Sequence, residues 1–150
     1  MQTTKGYFRR NRRGNAIAEF GLAFPLLLVF LTGMFQLGYG FFLYNELQSA
    51  VRGGARYASV TDFQSDQSGA AFASQVKNMV VYGNPAGGTT PVVLGLTTGN
   101  VNVTWQADAA GIPQTVTVNI SNYSFSVLGT AFRFINKPQS VFIYLGQFVA

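Results

Sequence analysis

The longest apolar run of the chain extends from Phe20 to Tyr44. Between Phe20 and Phe35 it contains no charged side chain, and Thr32 is the one polar residue. About 20 apolar residues, each rising about 1.5 Å, suffice to cross a bilayer, where backbone groups must bond within their own segment. The run therefore predicts a membrane-spanning helix over about residues 20–44.

Small and apolar residues continue at helical spacing beyond this span and face away from the polar ones. We therefore predict one continuous helix over residues 15–60. Within it, Ala50, Gly54 and Ala58 form a smooth groove that lets another backbone approach closely, either the protein's own sheet, which we favour, or a neighbouring helix. Pro25 removes one backbone hydrogen bond, which predicts a bend or local melting near residues 23–26.

Residues 61–150 predict a small α+β domain. A polar loop precedes a second helix over residues 70–82, with Asp66 or Ser68 as candidate caps and with a buried stripe formed by Phe72, Val76, Met79 and Val80. From Val92 the apolar period becomes two, which is typical of half-buried strands.

The predicted strands cover residues 101–106, 116–121 and 123–127, with one or two more over 132–135 and 141–145. The apolar phase jumps near residues 121–122, which predicts a β-bulge there. The apolar segment 141–149 either closes the sheet against the long helix, which we favour, or forms an exposed partner surface.

Charge is concentrated before the apolar run. Half of the ten basic residues lie within residues 1–14, and the rest of the chain has five basic and five acidic residues. The positive-inside rule therefore predicts that residues 1–14 form a cytoplasmic leader and that the domain at 61–150 is exported. Because the basic arm directly adjoins a membrane span, we disfavour the alternative of an arm that binds nucleic acid.

The composition argues against an enzyme. The chain has no cysteine and no histidine, so thiolate metal sites, thiol catalysis and the commonest general base are excluded. Asp62 and Asp66 are the one local pair of carboxylates in the exported part, and their loop lacks the ligand density of known calcium sites. We predict no catalytic residue, no cofactor and no metal site.

The junction between leader and span has the sequence Gly-Asn-Ala-Ile-Ala-Glu-Phe, from Gly14 to Phe20. A secretory signal peptide has a shorter apolar core, followed by its cleavage site. Here the glycine precedes the apolar run, which resembles the type IV prepilin cleavage pattern. More narrowly, residues 18–27 and 50–58 resemble TadE-like pseudopilins of tight-adherence (Flp-type) pilus systems.

The resemblance implies a type IV pilin-like α+β fold and cleavage by a prepilin peptidase between Gly14 and Asn15. It also implies that Glu19 pairs with the new amine of Asn15, on the same or a neighbouring subunit. The alternative for Glu19 is an interfacial residue that caps the helix start. Pro25 either lets the helix loosen on extraction from the membrane or makes an ordinary kink.

The function implied is that of a minor pseudopilin in a tight-adherence pilus, serving surface adhesion and biofilm formation. The alternatives are the main subunit of a related filament and an unpolymerised, membrane-anchored periplasmic scaffolding module. The expected partners are the membrane, pilin and pseudopilin subunits and the peptidase, without nucleic acid. The expected location is the inner membrane, crossed once, with the N-terminus cytoplasmic and the C-terminal domain periplasmic or extracellular.

Overall fold

The computed structural model describes residues 12–63, 69–109 and 111–146. They form two helices, α1 (Arg12–Val60) and α2 (Ala70–Tyr82), and a 3-10 turn at Thr98–Asn100. Five strands follow: β1 (Val101–Ala107), β2 (Pro113–Ile120), β3 (Tyr123–Val127), β4 (Thr130–Phe134) and β5 (Gln139–Ile143). The predicted α+β class is confirmed. The chain divides into two compact units, Met1–Gly38 and Tyr39–Ala150.

The described part of the first unit is helical throughout. Helix α1 begins at Arg12, three residues before the predicted start, and continues through Pro25 without a break. Of the predicted bend or local melting near residues 23–26, the local melting is therefore wrong, and the bend stays a prediction. A proline interrupts only the hydrogen bond to the carbonyl four residues earlier, here that of Gly21, and the turns on either side keep the helical conformation.

In the second unit, α1 contributes one buried stripe to the core. Its residues follow the helical period and are Leu43, Leu47, Val51, Ala55 and Ala58, each 5% exposed or less. They join the buried side chains of α2 and of the strands in a single apolar cluster. The spacing places them on one face of the helix, as its sequence predicts.

Helix α2 has the predicted bounds. Gly83 ends it at φ 68°, and its N–H donates to the Met79 carbonyl at 3.0 Å, a helix termination that favours glycine. The residue before the helix is Gly69, while the candidate caps Asp66 and Ser68 lie outside the described residues. The buried stripe includes Val81 in place of the predicted Met79, which is half-buried.

The main sheet is antiparallel with the order β1-β2-β5. Its register pairs Val103 with Val118 and Val116 with Phe142. Strands β3 and β4 form a separate two-stranded sheet.

The predicted bulge at residues 121–122 is wrong. The apolar phase changes there because the chain leaves one sheet and enters the other, through Asn122 at φ 58°. A register shift lies instead between Gln106 and Ala107.

The segment after Pro138 joins the main sheet. Residues 139–143 form β5, which pairs with the central strand β2, and the Leu145 N–H donates to the Ser59 carbonyl at 2.9 Å near the end of α1. This agrees with the favoured expectation of a closing strand. Val141 and Ile143 nevertheless face outward, and residues 147–149 of the predicted segment lie outside the described residues.

Candidate functional site

The described helix surface of the first unit is exposed and largely apolar. Every described side chain from Ala16 to Leu31 is exposed, and Leu22 reaches 83%. The described helix Ala16–Val60 is long and apolar enough to cross a membrane, and its most apolar window has a mean hydropathy of 2.0 with none of it buried. An apolar surface of this extent requires lipid or protein around it, and it fits a single-pass membrane anchor.

Glu19 is the one acidic residue before Glu46 and lies within this surface. Its side chain lines a shallow groove of about 650 Å³ whose other walls are apolar, formed by Leu22, Ala23, Pro25, Leu26 and Val29. Residues three, four and seven positions after Glu19 share its face of the helix, so one carboxylate stands at the edge of an apolar stripe. Such a group is costly in a bilayer unless a cation or hydrogen-bond donor accompanies it.

The structure describes part of the predicted cleavage site. Gly14 is exposed in the first turn of α1, and no described atom lies within 4 Å of the position a Cβ would take there. The side chain of Asn15 lies outside the described atoms. Its backbone is one helical turn from Glu19, a rise of about 6 Å.

The groove of small residues belongs to the fold of the second unit. A Cβ at Gly54 would lie 2.2 Å from the Val80 Cγ2 and 3.5 Å from the Val76 carbonyl oxygen, both in α2. The expectation that the main sheet approaches here is therefore wrong, since the close partner is the short helix. Ala58 is fully buried, and half-buried Ala50 lines a groove of about 300 Å³ between the two helices.

Sequence reasoning missed the contact of the β3–β4 hairpin with the start of the second unit. The ring centroids of Phe125 and Tyr39 are 6.2 Å apart, and those of Phe134 and Tyr44 are 5.7 Å apart. The Tyr123 hydroxyl donates to the Leu94 carbonyl at 2.8 Å. Burial raises the pKa of Tyr123, and the neighbouring Tyr39 adds to this effect.

A signal for this hairpin was present in the sequence. The alternation of Tyr123, Phe125 and Val127 is followed by a glycine at 129, which fits a two-residue turn. The turn was hard to recognise because Leu128 stands at a position where asparagine or aspartate is usual.

The described residues contain no cluster of metal-binding side chains. No group of three or more His, Cys, Asp or Glu side chains lies close enough to hold a metal ion within the parts described. Asp62 is exposed, and its predicted neighbour Asp66 is outside those parts.

An exposed apolar helix joined to a small α+β unit fits the class of single-pass membrane-anchored proteins. The profile of the family described as TadE-like protein matches residues 14–56. The match begins at Gly14 and includes Glu19, Pro25 and Gly54.

This match confirms the resemblance seen in the sequence over residues 14–56. The family is a structural one associated with Tad pili and is not known for enzymatic activity. Searches of curated proteins and of solved structures gave no match.

Proposed function

We propose that this protein is a minor pseudopilin of a tight-adherence pilus. In this proposal α1 anchors the chain with residues 1–14 in the cytoplasm, and the second unit lies outside the membrane. After processing, the subunit enters the filament at low copy number and supports surface adhesion and biofilm formation. The observation that carries the proposal is the exposed, TadE-like surface of α1, with one carboxylate beside an apolar groove.

Cleavage between Gly14 and Asn15 creates an amine that can pair with the Glu19 carboxylate. The new amine lies one helical turn from the Glu19 carboxylate, and the same amine on an adjacent subunit meets the same requirement. The free-energy cost of placing a carboxylate in a bilayer is small at the interface and about 2.5–3.5 kcal/mol at the centre on insertion scales. Pairing with an amine offsets this cost and favours one register between neighbouring helices.

Removal of the leader also changes what holds the protein in the membrane. All the basic residues that precede the span, which are Lys5, Arg9, Arg10, Arg12 and Arg13, are in the removed segment. They keep the N-terminus in the cytoplasm, because charged side chains cross hydrocarbon at high cost. The processed helix can leave the bilayer for a filament without moving five positive charges through it.

The apolar groove suits a second helix as its occupant in the filament. Ala23 provides a small contact point between Leu22 and Leu26, so a neighbouring helix can approach closely. Pro25 removes one hydrogen bond from this segment and lowers the cost of adjusting the helix during transfer from lipid to filament.

Fractionation of cells that make Tad pili tests the proposal. An epitope inserted between Gly87 and Thr90, in an exposed loop of the second unit, allows the protein to be quantified in sheared filaments and in membranes. We expect the subunit in sheared filaments at a small fraction of the main pilin, and loss of adherence when its gene is deleted.

A copy number equal to that of the dominant filament protein would identify a main subunit. Complete retention in membranes, with adherence unchanged on deletion, would identify an unpolymerised anchor. Either result would reject the proposed role.

A further inference from the structure

The β3–β4 hairpin extends along α1 toward the N-terminal end of the helix. Near the open end of the hairpin, Phe134 contacts Tyr44, and two residues nearer the tip, Phe125 contacts Tyr39. The two contacts are five residues apart on α1, a distance of about 7.5 Å along the helix. They are two residues apart along the hairpin, a distance of about 6.6 Å, so the hairpin runs nearly parallel to this part of the helix. At the same level a Cβ on Gly40 would lie 3.6 Å from the Phe125 Cζ.

These contacts place the hairpin where the helix leaves the lipid. Residues 39–44 are the last part of the predicted span, so side chains packed on them lie at the depth of the bilayer surface. The helix itself is aromatic here, and Phe41 and Phe42 are 68% and 55% exposed. Aromatic side chains are enriched at membrane–water interfaces, which agrees with this depth.

The sequence at the tip of the hairpin is unfavourable for the turn that it forms. Val127 pairs with Thr130, and the two residues between them, Leu128 and Gly129, have φ values of 49° and 82°. A turn with two positive φ values favours Asn-Gly, and a bulky side chain is strained in this region. Leu128 is also 66% exposed, so burial within the unit does not compensate for the strain. Strain of this kind is typical of positions selected for another purpose.

We propose that the β3–β4 hairpin contacts the membrane and that Leu128 inserts into the interfacial region of the leaflet from which α1 emerges. This rests on the single-pass topology in the proposed function. The partner is the lipid surface because the hairpin is packed on the final residues of the span itself. The contact gives the exported unit a second attachment to the bilayer and fixes its orientation while it waits for assembly.

The absence of cysteine from the chain allows a direct test. Ala131→Cys, at an exposed position in β4, receives a fluorescent label in the full-length protein in lipid nanodiscs. The nanodiscs contain phosphatidylcholine with a nitroxide quencher either near the headgroup or deep in the acyl chain. We expect strong quenching by the shallow nitroxide and weaker quenching by the deep one.

Ile143→Cys is the matched control, because Ile143 is 70% exposed. The neighbouring Tyr144 donates its hydroxyl to the Thr61 carbonyl at 3.1 Å, just past the end of α1. That level is about 25 Å beyond Tyr44 along the helix. Equal, weak quenching at the two labels would overturn the proposal.

A second variant separates membrane contact from folding. Leu128→Asn suits the positive φ and should leave the unfolding midpoint of the second unit unchanged or higher, as followed by Trp105 fluorescence in the unlabelled protein. In the Ala131→Cys background it should sharply reduce shallow quenching, whereas Leu128→Met should retain it. Quenching that is the same for asparagine and leucine at 128 would contradict insertion by this side chain.

Discussion

The close contact of the two helices at Gly54 predicts opposite outcomes for two adjacent glycines. A Cβ at Gly54 would lie 2.2 Å from the Val80 Cγ2, whereas a Cβ at Gly53 would meet nothing within 4 Å. Both residues are inside α1, so the substitutions Gly54→Ala and Gly53→Ala gain the same helix propensity. The difference between the two variants therefore isolates the contact with α2.

The magnitude follows from the rigidity of the partner. Val80 is fully buried, and a valine in a helix strongly prefers one rotamer, so its methyl group cannot turn away. Overpacking of this kind costs about 1–3 kcal/mol. Gly53→Ala should stabilise by about 0.5–1 kcal/mol. At about 4 °C per kcal/mol for a unit of this size, we expect Gly54→Ala to melt about 4–12 °C below Gly53→Ala.

The intrinsic fluorescence of Trp105, the single tryptophan of the chain, can be used to follow unfolding. Its ring lies 5.5 Å from that of Phe63 and 6.0 Å from that of Phe72 in α2, so its fluorescence reports whether α2 is docked. Thermal unfolding is followed in the full-length protein in detergent micelles.

Val80→Ala should reduce the cost of Gly54→Ala in a double-mutant cycle, because it removes the clashing methyl groups. Equal melting temperatures for the two glycine variants would refute the packing of α2 on Gly54. Unaltered melting together with loss of filament assembly would instead assign the groove to another subunit.

Three further outcomes are expected. Glu19→Gln should insert into membranes normally but fail to enter sheared filaments, as quantified by immunoblot of the two fractions; normal incorporation would leave only the capping role. Tyr123→Phe should flatten the loss of stability at high pH, because the pKa of Tyr123 is raised in the folded state. The protonated hydroxyl stabilises the fold below the ordinary tyrosine pKa of 10.0, and this contribution disappears as the pH rises through the folded pKa. Denaturant midpoints of both proteins across that range measure this. Tyr144→Phe should cost about 1–3 kcal/mol in chemical unfolding, because its hydroxyl accepts from the Phe63 N–H and donates to the Thr61 carbonyl; an unchanged midpoint would contradict both bonds.

The helices were predictable because their signals are local. The apolar run and the period of Leu43, Leu47 and Val51 specify α1, and Gly83 marks the end of α2. Strands β1 and β2 of the main sheet were likewise visible as alternation. The candidate site at Gly14 and Glu19 could be proposed from the sequence because both its residues lie in one continuous segment.

Long-range partners were not predictable in the same way. The small residue Gly54 indicates that something approaches closely, but nothing local distinguishes α2 from the sheet as its neighbour. The phase jump after Ile120 has the same ambiguity, because a bulge and a transfer to a second sheet both shift the apolar positions by one residue. The hairpin turn at residues 128–129 was not predicted, because leucine at position 128 is not a residue that this type of turn favours.

The N-terminus of the mature protein gives the most direct test of the account. We predict that chains isolated from the membranes of cells with an active prepilin peptidase begin at Asn15, as read by N-terminal sequencing and intact mass. The variant Gly14→Leu should keep Met1 and accumulate in the membrane as the full-length precursor. Wild-type chains that all retain Met1 in such cells would contradict processing at this site, and with it the proposal that α1 enters a filament.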